Sequence, residues 1–391
     1  MKRGIILFVC MLLAGVVQAQ ISYGGKPISQ SFQLPTLEHT IQQAALDGHQ
    51  FLDEDIARES QGLPPRYAFL VSANTDVMSE AQSDLLPNGD RVYRLKISVK
   101  GAKAIGLYFS QFSLAEGAYM FVYTPDYSEV LGKFTNKNQS DDGLFATELI
   151  HQGEVIIEIH EPSPVIGKSQ VQLGEVAHAY RLAKSASSIN SSDPCQVDVN
   201  CTPEGSNWQD EKRGIVRLSI KIGNSLYWCS GSVMNNTDLD CKPYILTAWH
   251  CGEGASTADF NQWVFYFNYE SSGCGSGYAP QNQTVTGASM KANSNDGGGS
   301  SGSDFLLVEL NSNIPLGYNA FYNGWSRLNT TSYSGVSMHH PSGDRKKIST
   351  YTGALTTSQW GSASGSHWRV YWSATANGHG VTEGGSSGSP I

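Results

Sequence analysis

The sequence predicts an all-β protein built in two unlike halves. Only 16% of its 391 residues are charged while 41 are glycine, a composition typical of secreted β-rich chains rather than helical cytosolic ones. Short apolar runs bounded by turn residues recur along the chain, and no helical period of useful length separates them. Six of the seven cysteines follow residue 194. The length allows two or three domains, each able to bury a core. A net charge of −9 gives no general electrostatic reason to bind nucleic acid or an anionic membrane.

The chain opens with Lys2-Arg3, an apolar run from Gly4 to Val17, and Val17-Gln18-Ala19, the pattern of a signal peptide (1–19) cleaved after Ala19. No second apolar stretch of about 20 residues follows, so export without a stable membrane anchor is expected. In residues 20–184, Glu54 to Glu59 suits a short helix that Leu63-Pro64-Pro65 ends. After the turn pair Asn88-Gly89, the residues Tyr93, Leu95, Ile97 and Val99 alternate with Arg94, Lys96 and Ser98, which places apolar groups on one face of a strand. Further runs at Ile105–Phe109, Tyr119–Tyr123 and Val155–Ile159 indicate a β-sandwich, a shape that also serves plain binding modules. The small polar stretch 185–194 reads as a linker or activation region, with Arg181 and Lys184 as cleavable points before it. Residues 20–184 are therefore expected to be a folded propeptide, the alternative being two permanently joined domains.

Strand signals resume at Ile215–Ile220, Tyr244–Thr247, Trp263–Phe267 and Phe305–Leu310, which predicts a β-barrel or sandwich. Three residues in this half suit nucleophilic catalysis. His250, in Thr247-Ala248-Trp249-His250-Cys251, lies just after a strand, and Cys251 offers a way to tie its loop to Cys229. Asp304 heads an apolar strand and could accept the Nδ1 proton of His250, fixing the tautomer whose Nε2 takes a serine proton. Ser387 lies in Gly384-Gly385-Ser386-Ser387-Gly388-Ser389-Pro390. Taken singly, the histidine suits a structural or metal-binding role, the aspartate a turn, and the Gly/Ser run a linker. Their order, His250, Asp304, Ser387, is that of the chymotrypsin template. The N–H groups of Gly385 and Ser387 would then form an oxyanion hole. His339-His340 could be taken for a metal pair, but adjacent strand residues face opposite sides. No metal and no cofactor are expected.

Residues 195–391 resemble the catalytic domain of secreted bacterial lysyl endopeptidases. The resemblance runs through Cys195 to Cys201, Thr247 to Gly252, Ser303 to Leu310, His339-His340-Pro341, Lys347-Ile348-Ser349, and Val381-Thr382-Glu383 into the serine loop. It implies a chymotrypsin-like pair of Greek-key β-barrels, with the second incomplete where this sequence stops, and a β-sandwich propeptide before it. It also implies a secreted zymogen, peptide hydrolysis through an acyl-enzyme, disulfides Cys229–Cys251 and Cys201–Cys274, and a substrate-lining role for Trp360. The same resemblance leaves Cys195 needing a partner beyond residue 391 and Cys241 without a counterpart, a Cys195–Cys241 bond being the alternative. The expected partners are a peptide or protein substrate and the chain's own propeptide, with the protein a monomer. Two positions depart from trypsin-like patterns. The residue before the nucleophile is Ser386 rather than an acid, so activation is expected without an ion pair from a new N-terminus. The residue six before the nucleophile is Val381 rather than a specificity acid, which in the resembling family comes after the nucleophile loop. A secreted adhesion or binding protein carrying a degenerate protease domain is the reading from another class.

Overall fold

A computed structural model describes residues 24–182, 192–275, 279–296 and 302–391. The expected signal peptide and most of the expected linker lie outside these residues. The first half contains β1 (Thr40–Gln43), β2 (Arg66–Asp76), β3 (Gln82–Leu85), β4 (Arg91–Val99), β5 (Ala104–Ser113), β6 (Tyr119–Tyr123), β7 (Val130–Thr135), β8 (Phe145–Ala146), β9 (Glu154–Glu161) and β10 (Gln170–Ala179). One sheet runs β1-β4-β9-β6-β7, with β3 also on β4. The other runs β2-β10-β5-β8 with antiparallel neighbours. Their facing side chains, Leu95, Ile97, Val99, Phe109, Val122 and Ile157 among them, form one buried core. This is the sandwich that the alternation along β4 predicts. The expected short helix spans Leu52–Ser60 and stops before the proline pair.

The second half contains β11 (Val197–Asp198), β12 (Ile215–Ile222), β13 (Ser225–Met234), β14 (Tyr244–Ala248), β15 (Val264–Tyr266), β16 (Thr284–Thr286), β17 (Ala288–Asn293), β18 (Phe305–Leu310), β19 (Gly335–His339), β20 (Lys347–Tyr351), β21 (Thr356–Trp360) and β22 (Ala363–Arg369). Antiparallel pairing runs β16-β15-β12-β13-β14-β18-β17. Only Gly287 separates β16 from β17, and its N–H donates to Trp263 O at 2.8 Å, so one bent strand links β15 to β18 and closes a barrel. Gly287 has φ +87°, and a Cβ there would lie 3.0 Å from Asn261 O. The corner therefore requires glycine. Val216, Leu218, Ile220, Trp263, Phe265 and Val308 fill the interior. Beyond the barrel lie a three-stranded sheet, β11-β20-β19, and the hairpin β21-β22. Among the described residues these do not close into a second barrel.

The halves are built differently, as the cysteines suggest, yet they share a sheet. β2 pairs with β13 through Ser225↔Phe69, Leu226↔Ala68 and Tyr227↔Arg66. One eleven-stranded sheet thus continues from sandwich into barrel. Tyr67, Leu70, Tyr108 and Leu149 from the first half bury with Leu226, Trp228, Val264 and Tyr266 from the second. The seam also carries Tyr67 Oη with Ser219 Oγ at 2.6 Å, Lys221 Nζ to Glu175 Oε2 at 2.7 Å, and Thr284 Oγ1 to Glu148 Oε1 at 2.5 Å.

Glu148 is 2% exposed, and burial holds its carboxyl above the usual carboxylate range, only partly offset by the Thr284 hydroxyl. A raised carboxyl pKa means that the folded chain binds this proton more tightly than the unfolded chain. Its contribution is therefore complete below the unfolded pKa and is lost as pH climbs through the raised value. Denaturant melts of the intact chain from about pH 4 to about pH 9 should show this decline, and Glu148→Gln should flatten it. An unchanged pH profile in the variant would contradict the assignment.

Candidate active site

The barrel brings His250 and Asp304 together through strand register. Ala248 at the end of β14 pairs with Phe305 at the start of β18, so the residues just beyond these positions meet at one rim. Trp249 N–H donates to Asp304 O at 2.9 Å. Asp304 has φ +52°, a left-handed conformation that aspartate tolerates better than most residues. Asp296 supports that turn by accepting from Ser294 Oγ at 2.5 Å and from Asp304 N at 3.3 Å.

The carboxylate of Asp304 holds His250 twice. Oδ1 accepts from the backbone N–H of His250 at 2.9 Å, and Oδ2 lies 2.6 Å from Nδ1. With the proton on Nδ1, Nε2 is left as an acceptor, and it lies 2.8 Å from Ser387 Oγ. The side chains of His250 and Asp304 are 15% and 17% exposed. The three residues therefore form a continuous line of hydrogen bonds at the protein surface. Such a line can draw a proton from a serine hydroxyl as that oxygen attacks a carbonyl.

The loop carrying Ser387 is held by four successive carbonyls. Gly384 O accepts from Ser342 N at 2.6 Å, Gly385 O from Ser230 Oγ at 2.9 Å, Ser386 O from Ser389 N at 3.1 Å, and Ser387 O from Ser230 N at 2.9 Å. In a trans peptide the N–H points opposite the preceding carbonyl. Anchoring Gly384 O and Ser386 O thus turns the N–H groups of Gly385 and Ser387 away from those anchors. Among the described residues neither N–H has a protein partner. Gly385 has φ +91°, and a Cβ there would lie 2.9 Å from Ser342 N, so this turn also demands glycine.

The disulfides are Cys229–Cys251, with Cα atoms 6.5 Å apart, and Cys201–Cys274, at 4.4 Å. Cys229–Cys251 ties the His250 turn to β13. Cys195 and Cys241 are both unpaired, so the third bond considered from sequence does not form. Trp360 lies on β21 and is 57% exposed. Its ring adjoins the first half, where a Cβ on Gly62 would lie 3.6 Å from Trp360 Cζ2. It is not in hydrogen-bond or ring contact with His250, Asp304 or Ser387. His339 and His340 take separate partners, Ser386 and Ser349 for one and Asp344 O for the other. Among the described residues no group of three or more His, Cys, Asp or Glu gathers to hold a metal.

One support escapes a reading of the sequence. Ser230 is fully buried in the run Cys229-Ser230-Gly231-Ser232, where nothing distinguishes it from its neighbour. Its hydroxyl donates to Gly385 O and accepts from His340 N at 2.9 Å, and its carbonyl accepts from Thr247 Oγ1 at 2.8 Å.

Residues 189–391, just over half of the chain, match the family model described as the lysyl endopeptidase C-terminal domain. The chain belongs to this family of proteins. It is 27% identical over 329 residues to a lysyl endopeptidase of Pseudomonas aeruginosa, an alignment covering 78% of this chain and 66% of the relative. The chain thus spans just under two thirds of that relative's length. Among solved structures, an inactive form of the Rv3671c protease matches at a TM-score of 0.29 and 11% identity, covering 52% of this chain and 80% of that one. The protease Anisep from Arthrobacter nicotinovorans matches at 0.30 and 18%, covering 46% and 90%.

Ser230→Ala would leave Gly385 O and His340 N unpaired in a buried place. Each such group costs about 1–3 kcal/mol, so the variant should lose roughly 2–6 kcal/mol of unfolding free energy in denaturant melts. A loss below about 0.5 kcal/mol, as for an ordinary surface change, would show that the hydroxyl does not hold the loop.

Proposed function

We propose that the chain is a secreted serine endopeptidase, made as a zymogen, that cleaves peptide bonds through an acyl-enzyme with a preference for basic residues, lysine foremost. The observation that carries this reading is the line from Asp304 through His250 to Ser387, at 2.6 and 2.8 Å. In the reaction, Ser387 Oγ attacks the scissile carbonyl while His250 Nε2 takes its proton. Asp304 stabilises the imidazolium that forms, and His250 returns the proton to the leaving amine. The N–H groups of Gly385 and Ser387 receive the negative charge that develops on the carbonyl oxygen. Water then attacks the acyl-enzyme with His250 again acting as base. The two disulfides and the apolar leader support export to an oxidising compartment. The family match supports the lysine preference.

The zymogen reading is supported by the path of Gln61 to Arg66. Pro65 O accepts from Trp228 N at 3.1 Å, just before the point on β13 where Ser230 N holds Ser387 O. A Cβ on Gly384 would lie 3.5 Å from Pro65 Cδ, so Pro65 packs beside the loop that carries the oxyanion donors. The segment is clamped from behind, because Arg66 Nε donates to Asp55 Oδ1 at 2.9 Å and Tyr180 Oη to Asp55 Oδ2 at 2.7 Å. Proline brings no N–H to pair with an edge. The first half in this way covers the β13 edge beside Ser387, an edge that an extended substrate would use.

Two tests follow. Ser387→Ala in the activated protein should lower the kcat for peptide amides by about 10⁴-fold or more, and unchanged hydrolysis would refute the mechanism. The intact chain should be slow toward small amide substrates, and cutting between Leu182 and Ser192 with release of the first half should raise the rate by about 10-fold or more. An intact chain as fast as the separated catalytic half would refute the zymogen reading and leave the mechanism standing.

A further inference from the structure

His339 lies at the end of β19 and is fully buried. It does not touch His250, Asp304 or Ser387, and an isolated buried histidine would ordinarily count as packing. Its hydrogen bonds have a direction, however, and that direction gives it a task. Ser349 Oγ lies 3.0 Å from His339 Nε2 and 3.2 Å from Val381 O. A carbonyl only accepts, so the Ser349 hydroxyl proton goes to Val381 O, and the proton on His339 must be on Nε2, donated to Ser349. Nδ1 is then bare and accepts. Its partner at 2.8 Å is Ser386 Oγ, whose single proton is thereby committed. Ser386 Oγ in turn accepts from Glu383 N at 3.1 Å.

The result is a one-way relay from Glu383 N–H through Ser386, His339 and Ser349 to Val381 O. It begins and ends in the segment just before the nucleophile and leaves no donor or acceptor along it unmatched. We infer that His339 is a positioning residue: with Ser349 it pins the side chain of Ser386, and so fixes the peptide planes that present the N–H groups of Gly385 and Ser387 to substrate. Ser386 is the one residue between those two donors, it is 5% exposed, and its side chain is directed into the protein. The β19–β20 pair supplies a rigid platform, since Ser337 pairs with Ser349 and His339 with Lys347 across it. Burial, with the nearby Lys347 ammonium, pushes the imidazole of His339 down to about 3. It thus stays neutral at working pH, and the relay keeps a single polarity. A buried charge pair in this place would cost desolvation of both ions. Here a neutral relay does the holding.

The inference rests on the hydrolase reading, and the test separates the two. Ser386→Ala, His339→Gln and Ser387→Ala are made in the full-length protein, secreted and activated. Rates are taken per active site by burst titration for the first two, and thermal melts are run alongside. Ser386→Ala should lower kcat for a peptide amide by about 10- to 100-fold, with KM within about 2-fold, since a misplaced oxyanion donor weakens binding of the transition state only. His339→Gln offers an acceptor and a donor on one side chain and should recover to within about 5-fold of the parent. The inference is overturned if Ser386→Ala keeps the parent kcat, if the loss falls on KM, or if it vanishes once rates are scaled to titrated sites. Failure of Ser387→Ala to abolish turnover would instead bring down the hydrolase reading itself.

Discussion

The site depends on the hydrogen bonds of one buried serine. Ser230 uses its N–H for Ser387 O, its hydroxyl for Gly385 O and His340 N, and its carbonyl for Thr247 Oγ1. It thereby ties together β13, the Ser387 loop, the strand leading to His250, and the turn after β19. These segments are distant in sequence, and two of them carry groups of the proposed chemistry, Ser387 and His250. Because the groups are buried, leaving any of them unpaired costs more than the net value of an ordinary hydrogen bond. The loop therefore has few alternative conformations of similar energy.

The same strand explains how the first half of the chain could restrain the second. The edge of β13 carries β2 at Ser225 to Tyr227, Pro65 at Trp228, Ser387 at Ser230, and β14 from Ser232. An exposed strand edge invites pairing, and this one is filled without a gap large enough for a second strand. The buried seam around Tyr67, Trp228 and Tyr266 makes the arrangement more than a tether. If the first half restrains the second as proposed, this seam has to separate as well as the chain being cut.

Much of this was legible in the sequence where the signal was local. His250, Asp304 and Ser387 each sit at a strand end or in a glycine loop with distinctive neighbours; the barrel brings the first two together, and the loop anchored on Ser230 brings Ser387 within hydrogen-bond distance. The alternation along β4 and the helix ended by Pro64-Pro65 were legible for the same reason. The disulfide pairing came from family resemblance, since spacing alone leaves fifteen choices for six cysteines. What remained hidden was nonlocal. The pairing of β2 with β13 joins residues more than 150 positions apart, and no strand pattern names its partner. Ser230, Ser349 and Ser386 are three serines among many, and only burial and bond direction distinguish them. For Trp360 the structure gives a position on an exposed hairpin beside the first half, near Gly62.

Covalent labelling reads whether Ser387 is an activated nucleophile. The activated protein would be treated with a fluorophosphonate, digested, and mapped by mass spectrometry, because only a serine with a working base reacts quickly. Rapid stoichiometric labelling is expected, confined to the peptide containing Ser387 and lost in His250→Ala. Slow labelling spread over several serines, or rapid labelling that survives the loss of His250, would contradict it.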